Sequence, residues 1–316
     1  MATVERDRKL LLVAPGFGFT DEWRTAFAEF LPQVELVDPD DVEPDEPEIA
    51  LVYDPPPGTL ARFPRLRAVL ALSAGVDGVL RDPTLPPVPL IRLAHHDIAQ
   101  GMREYVAYNV LRLHRNFDRH EEEQRAAQWN WPLPSLPASD CRVSILGLGQ
   151  TGLPTAILLQ QIGYDVLGWT RRPRDCGSVP TLSGNESLKT LLARTDILVC
   201  LLPLTPATRG ILGRASFIEM PRGACLINAA RGACLVERDL LEALDAGMIR
   251  HATLDVFATE PLPASHPFWH HPGITVTPHA AANPGPHACA HAIGRVLEDL
   301  DRGRPPEGLV DRTVGY

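Results

Sequence analysis

The sequence predicts an α/β chain of two doubly wound parallel-sheet domains, and three observations carry that reading. Short apolar runs alternate with helical patterns almost from end to end, as they do where strands are joined by crossover helices. The 316 residues are too many for one ordinary domain and enough for two with real cores. A glycine-rich turn, Gly147-Leu148-Gly149-Gln150-Thr151-Gly152, sits between an apolar run and a helical stretch near the middle of the chain.

In the first half the strand-like runs are residues 10–14, 34–37, 49–53, 68–72 and 88–93, with a proline-rich loop over 38–57 around one of them. From Asp97, a residue suited to an N-cap, the period lengthens into a long amphipathic helix. Met102, Tyr105, Val106, Asn109, Val110 and Leu113 lie on its neighbouring faces, and a helix of this length can bridge two domains. Residues 115–140 carry charge together with Trp129, Trp131, Pro132, Pro134 and Pro137 and show no clean period. They read as a connector packed on its own domain or as an arm that meets a partner. The second series of strands runs over 143–146, 165–170, 197–202, 224–228, 252–256 and 274–277, and six strands suit a dinucleotide-binding sheet. A last helix over 286–301 is expected to return to the first domain. The expected division is therefore residues 1–105 with 283–316 as a discontinuous substrate domain, and 106–282 as a continuous cofactor domain.

Composition removes several function classes. A formal net charge of −9 argues against nucleic acid as the main partner. The six cysteines, Cys141, Cys176, Cys200, Cys225, Cys234 and Cys289, form no Cys-x-x-Cys pair and read as reduced core residues. Glu5, Arg6, Asp7, Arg8 and Lys9 precede only a short apolar run, which is not a signal-peptide layout, and no apolar stretch is long enough to span a membrane. A cytoplasmic protein without a membrane partner is expected. His266, His270, His271, His287 and His291 crowd the last third, but no Glu is placed as in a His-Glu-x-x-His helix and Pro267 and Pro272 interrupt the segment. No metal is expected.

The glycine turn has the spacing of a dinucleotide site. Gly147 permits the tight turn, Gly149 keeps a side chain out from between backbone and pyrophosphate, and Gly152 lets the helix pack on its strand. Gln150 and Thr151 complete the cradle. About 18 residues past Gly152, where an acid would serve free ribose hydroxyls, the strand ends in Thr170, followed by Arg171 and Arg172. A hydroxyl and two guanidinium groups suit a phosphate ester, so NADP(H) is expected as cofactor. Asp175 leaves NAD possible if its loop folds back to the ribose.

Three titratable or charged residues fall at successive strand ends of the second domain: Arg231, Glu260 and His279. In an open parallel sheet those ends converge on the ligand crevice. Arg231 can hold a carboxylate by a bidentate fork and polarise an adjacent keto oxygen. His279 can give that oxygen a proton, and Glu260 beside it favours the charged imidazole, whose free pKa is about 6.5. With hydride from a reduced nicotinamide, the product is a 2-hydroxy acid. Singly, each residue is as well explained by an ordinary loop; together with the cofactor turn they form a catalytic set. In the first domain Ser73-Ala74-Gly75-Val76-Asp77 follows a strand and opens a helix, so Ala74, Gly75 and Val76 either aim backbone N–H groups at a substrate carboxylate or form a plain strand-to-helix turn. Asp255 either accepts from the nicotinamide carboxamide or is a structural carboxylate.

The motifs Gly147-x-Gly149-x-x-Gly152, Leu202-Pro203-Leu204-Thr205-Pro206, Asn228-Ala229-Ala230-Arg231-Gly232, Leu254-Asp255-Val256-Phe257, Glu260-Pro261-Leu262-Pro263 and Thr277-Pro278-His279 together resemble the D-2-hydroxyacid dehydrogenases. Trp169-Thr170-Arg171, Leu51-Val52-Tyr53-Asp54-Pro55-Pro56 and the final Val310-Asp311-Arg312-Thr313-Val314-Gly315-Tyr316 are similar to the glyoxylate/hydroxypyruvate reductase A branch. The resemblance implies a Rossmann cofactor domain inserted in a flavodoxin-like substrate domain, a homodimer, and NADPH-dependent reduction of a small 2-keto acid. It implies Arg231 as substrate clamp, Glu260 and His279 as the acid pair, and Leu202, Pro203 and Asp255 on the cofactor. Ala74 to Val76 then meet the carboxylate, while Tyr53 and Met102 line the substrate pocket. That branch carries Trp where this chain has Tyr53, and the run Ala280-Ala281-Ala282-Asn283-Pro284-Gly285 departs from its usual Thr-Arg-Pro ending. Two rival readings therefore stand: a reductase for a bulkier aromatic or branched keto acid, and a non-catalytic dinucleotide-sensing protein like the family's corepressors.

Overall fold

The computed structural model describes residues 8–15, 21–93, 96–131, 136–282, 285–313 and 315. The N-terminal charges up to Asp7, Pro132, Pro134, Asn283, Pro284, Val314 and Tyr316, on which the sequence reading also drew, lie outside the described residues, as do the side chains of His96 and Asp97. The chain divides into two compact units, Met1–Ile98 with Pro284–Tyr316, and Ala99–Asn283. The first change of unit falls inside the long helix, earlier than residue 105, because the buried side chains of that helix from Met102 onward pack in the second unit.

In the first unit β1 (Arg8–Val13), β2 (Val34–Val37), β3 (Ile49–Val52), β4 (Ala68–Ala71) and β5 (Leu90–Arg92) form a five-stranded sheet in the order β2-β1-β3-β4-β5. Every pair is parallel. This is the flavodoxin-like order, with its switch point between β1 and β3. Strand side chains alternate between two cores: Ala68 and Leu70 face one, Val69 and Ala71 the other. The first core is closed by α1 (Asp21–Phe30) and the last helix of the chain, α9 (Pro286–Asp301), through Trp23, Phe27, Ile293 and Leu297. The second core takes Phe63, Val76 and Val79, the last on the short α2 (Asp77–Leu80). Burial on both faces explains why β3 and β4 read as continuous apolar runs.

The second unit begins within α3 (His96–His114) and continues through α4 (Phe117–Arg125) to β6 (Arg142–Leu146), α5 (Gly152–Ile162), β7 (Asp165–Thr170), β8 (Thr181–Ser183), α6 (Asn185–Leu192) and β9 (Ile197–Cys200). It ends with α7 (Arg214–Glu219), β10 (Ala224–Asn228), α8 (Glu237–Asp245), β11 (Ile249–Leu254) and β12 (Ile274–Val276). The sheet has seven strands rather than six, in the order β12-β11-β10-β9-β6-β7-β8, all parallel. This is the Rossmann arrangement with its switch point between β6 and β9. The additional strand, β8, is a short half-buried edge with no apolar run to announce it. One face packs on α6, α7 and α8 through Leu191, Phe217 and Leu240, the other on α3 and α5 through Val106, Val110, Ala156 and Leu159.

Two further corrections to the sequence reading concern the helices. The long helix starts at His96, so Asp97 lies in its first turn rather than at the cap. The segment 115–140 contains α4, which its polar composition hides. Charges outside it hold that helix in place: Arg250 of β11 pairs with Asp118, and Arg112 of α3 with Glu121. The six cysteines are free and buried, and no helix among the described residues is long and apolar enough to cross a membrane.

Leu226 is fully buried in the middle of β10. Leu226→Ala should cost about 2–5 kcal/mol of stability, whereas truncating exposed Tyr108 should change it by no more than about 0.5 kcal/mol; urea midpoints measure both, and equal midpoints would contradict the assigned core.

Candidate active site

Parallel pairing brings the carboxyl ends of the second unit's strands to one edge of its sheet. The sequence-predicted residues follow those ends in turn: the glycine turn after β6, Thr170 at the end of β7, Leu202 and Pro203 after β9, Arg231 after β10, Asp255 and Glu260 after β11, and His279 after β12.

The glycine turn has the shape its spacing predicts. Gly147 has φ +96°, and a Cβ there would lie 2.8 Å from the Leu201 carbonyl oxygen. A Cβ on Gly152 would lie 1.9 Å from the Gly147 carbonyl oxygen, so the first turn of α5 closes on the loop only with glycine. A Cβ on Gly149 would meet nothing within 4 Å, so its backbone faces open space. No side chain caps α5 at Thr151. An open backbone beside an uncapped helix start fits a pyrophosphate, whose negative charge the N–H groups and helix dipole favour. Gln150 is exposed and Thr151 half-buried beside it. Leu202 is buried and Pro203 half-buried, and Thr208 pins their loop by donating to the Pro203 carbonyl at 2.7 Å.

At the end of β7, Thr170 donates its hydroxyl to the Arg172 carbonyl at 2.8 Å and folds the turn that carries Arg171 and Arg172. Arg174, which the sequence reading passed over, reaches back to the glycine turn and donates to the Leu148 carbonyl at 3.0 Å. The Asp175 carboxylate accepts the Gly177 N–H at 3.0 Å, a local turn contact.

His279 and Glu260 meet. His279 Nδ1 lies 2.8 Å from Glu260 Oε2, while Glu260 Oε1 accepts the Phe257 N–H at 2.9 Å. Burial alone would push the Glu260 carboxyl up, but the hydrogen bonds from His279 and Phe257 and the charges of His279 and Arg231 hold it below the usual range. The Arg231 charge is thus felt at the pair. The Arg231 turn is set by Asn228, fully buried, which accepts the Ala230 N–H at 3.2 Å and donates to the Arg231 carbonyl at 3.3 Å. A Cβ on Gly232 would sit 1.8 Å from the Phe257 carbonyl carbon, so only glycine lets this turn lie against the loop that leads to Glu260. The signal for Gly232 was its place after Arg231; its reason needs the neighbouring strand end.

Asp255 is 1% exposed and organises the next turn. Its Oδ1 accepts the Thr277 hydroxyl at 2.5 Å and the Ala280 N–H at 2.8 Å, its Oδ2 accepts the Ala281 N–H at 2.9 Å, and its backbone carbonyl accepts the His279 N–H at 2.9 Å. Thr277, noted in the sequence only as part of a motif, is therefore bound to the carboxylate that holds the His279 turn. His279 itself has φ +52°, a conformation that costs a non-glycine residue about 1–3 kcal/mol and persists where neighbours impose it.

In the first unit Tyr53 follows β3, half-buried, its N–H donating to the Val13 carbonyl at 3.0 Å across the switch point. Ala74, Gly75 and Val76 form the turn after β4, closed by the Ser73 hydroxyl donating to the Gly75 carbonyl at 2.6 Å. Met102 belongs to α3 and is buried in the second unit's core with Ala281. The C-terminal histidines have separate neighbours, His266 with Glu237, His271 with Asp245 and His287 with Glu29, and no group of three metal-ligating side chains occurs among the described residues.

A glycine-cradled helix start at a switch point, with an imidazole–carboxylate pair and an arginine at neighbouring strand ends, defines a dinucleotide-dependent dehydrogenase. Residues 107–281 match the model of the D-isomer specific 2-hydroxyacid dehydrogenase NAD-binding domain. Glyoxylate/hydroxypyruvate reductase A of Serratia proteamaculans is 42% identical over 304 residues, covering 94% of this chain and 96% of that protein. A D-isomer specific 2-hydroxyacid dehydrogenase from Xanthobacter autotrophicus Py2, solved with NADPH and MES, superposes with a TM-score of 0.91 at 36% identity over 98% of this chain and 100% of its own. The NADPH-dependent glyoxylate/hydroxypyruvate reductase of Sinorhizobium meliloti, solved with NADP and sulfate, gives a TM-score of 0.91 at 35% identity with the same two coverages, 98% and 100%. The chain belongs to the D-isomer specific 2-hydroxyacid dehydrogenase family.

Because the Glu260 carboxyl is held below its ordinary value of 4.5, its contribution to stability is full above that value and is lost as pH falls through the depressed folded-state value. Wild type should exceed Glu260→Gln in stability at neutral pH, with the gap closing under acid conditions; denaturation of both proteins from pH 7 downward measures it, and a pH-independent gap would contradict the pairing.

Proposed function

We propose that this chain reduces a small 2-keto acid, glyoxylate or hydroxypyruvate, to the D-2-hydroxy acid with NADPH. The observation that carries this reading is the 2.8 Å contact between His279 Nδ1 and Glu260 Oε2. A bound reduced nicotinamide supplies the hydride; the chain supplies position and a proton. With Nδ1 held by Glu260, the imidazole presents Nε2 to the keto oxygen and donates from there, and ionised Glu260 balances the imidazolium. Arg231 holds the substrate carboxylate in a bidentate fork and draws charge onto the keto oxygen. Asp255 Oδ2 accepts one backbone N–H and retains acceptor capacity for a carboxamide, and Leu202 and Pro203 give the cofactor an apolar wall. The backbone N–H groups of Ala74, Gly75 and Val76 suit a carboxylate. The lining roles of Tyr53 and Met102 rest on the family resemblance.

The NADPH preference is supported by Thr170, Arg171, Arg172 and Arg174 at the end of β7, and by the occupation of the nearby acid, Asp175, with the Gly177 N–H. The relatives from Xanthobacter and Sinorhizobium, described with NADPH and NADP, agree with it. We also propose a homodimer in the cytoplasm. Phe117, Trp129, Trp131 and Leu136 are strongly exposed, Trp129 and Trp131 at 84% and 83%, which favours the reading of 115–140 as a partner-contacting arm.

A panel of keto acids run with NADPH and with NADH tests the proposal. Glyoxylate and hydroxypyruvate should be turned over best and with NADPH; preference for an aromatic or branched keto acid, or nucleotide binding without turnover, would favour one of the rival readings. Replacing Arg171 and Arg172 together by Ala should raise the KM for NADPH roughly ten- to a hundredfold, the worth of one or two charge-assisted hydrogen bonds, and leave that for NADH nearly unchanged.

A further inference from the structure

The turn that carries His279 is tied to α3 by a short chain of hydrogen bonds. Tyr105 Oη lies 2.7 Å from Thr277 Oγ1, and the Thr277 hydroxyl donates to Asp255 Oδ1 at 2.5 Å. A threonine hydroxyl has one proton, and here Asp255 takes it. Tyr105 must therefore be the donor to Thr277. Burial, first of all, and the Asp255 charge push the Tyr105 phenol up, away from ionisation, so it remains a donor at any working pH. Both donors point the same way, towards the carboxylate, and a chain of this polarity strengthens each bond in it.

The far end of the chain is the backbone of the catalytic turn. The two Asp255 oxygens receive the Ala280 and Ala281 N–H groups, and the Asp255 carbonyl receives that of His279. These bonds bracket a residue whose φ of +52° is unfavourable on its own. The segment also lies close to α3 at a second point, where a Cβ on Gly101 would be 3.3 Å from the Ala281 carbonyl oxygen.

We propose that Tyr105 and Thr277 are positioning residues for the reduction: acting through Asp255, they fix the turn that aims His279, and without their hydroxyls the imidazole samples orientations in which it cannot deliver its proton. The inference rests on the assignment of His279 as the acid. It distinguishes the Thr277 hydroxyl from its methyl group, which only fills space, and it makes the effect of each substitution pass through His279.

The test uses the full-length enzyme with glyoxylate and NADPH. Thr277→Val should lower kcat about tenfold while the NADPH dissociation constant, read by nucleotide fluorescence, stays within about twofold; a misplaced near-attack group is expected to lose rate on this scale. Thr277→Ser should restore kcat to within about twofold of wild type, and Tyr105→Phe should lower it about threefold. The double variant should be no slower than Thr277→Val alone, because both act on one chain. Wild-type kcat in both Thr277→Val and Tyr105→Phe would overturn the proposal. So would a Thr277→Ser enzyme as slow as Thr277→Val, or fully multiplicative losses in the double variant. His279→Ala run in parallel separates the two levels: retained turnover there would refute the acid assignment itself, whereas lost turnover there with silent Tyr105→Phe and Thr277→Val would refute only the positioning. Should Thr277→Val fail to fold, Tyr105→Phe, which keeps the ring and its packing, decides alone.

Discussion

The chemistry proposed for this chain depends on the hydrogen bond between His279 and Glu260. An imidazole with one nitrogen held by a carboxylate has a fixed orientation and a partner for its charge, and what it can do then depends on what faces its other nitrogen. Neither residue is held by regular structure. Glu260 stands in a loop after β11 and is anchored by the Phe257 N–H, and His279 stands in a left-handed turn after β12 anchored on Asp255. The pair is half exposed, so its value lies in geometry more than in stability.

The sheet makes that geometry repeatable. Seven parallel strands deliver every loop that matters to one edge, and close packing among the loops sets their spacing. Gly232 is the clearest case: the Arg231 turn and the Phe257 backbone approach so closely that any side chain would separate them. The same edge holds the glycine turn after β6 at the switch point, where an open backbone and an uncapped helix start favour a pyrophosphate. The glycine turn and the His279–Glu260 pair thus share one edge as consequences of one topology.

Much of this was legible in the sequence where burial is strong and local. The strands at 165–170 and 224–228 and the helix at 286–301 appear with the expected bounds because largely apolar runs and a clean helical period mark them. What the sequence hid depends on partners outside the segment itself. The edge strand β8 is three half-buried residues paired to β7, and α4 is a polar segment held by Arg112 and Arg250. The start of α3 at His96 rather than at Asp97 shows how weak a lone cap signal is. In the candidate site, Arg231, Glu260 and His279 could be named from their places after strands, but the contact between Thr277 and Tyr105 could not. They are 172 positions apart and meet only once α3 packs beside β12.

The central claim is that the His279–Glu260 pair faces the reacting carbonyl. A crystal structure of the enzyme with NADP and oxamate, a non-reducible mimic of a 2-keto acid, examines it most directly. The account predicts His279 Nε2 within about 3 Å of the oxamate C2 oxygen, Nδ1 still on Glu260, and the Arg231 guanidinium on the oxamate carboxylate. Oxamate bound away from Arg231, or an imidazole turned from it with the Glu260 contact broken, would contradict the account.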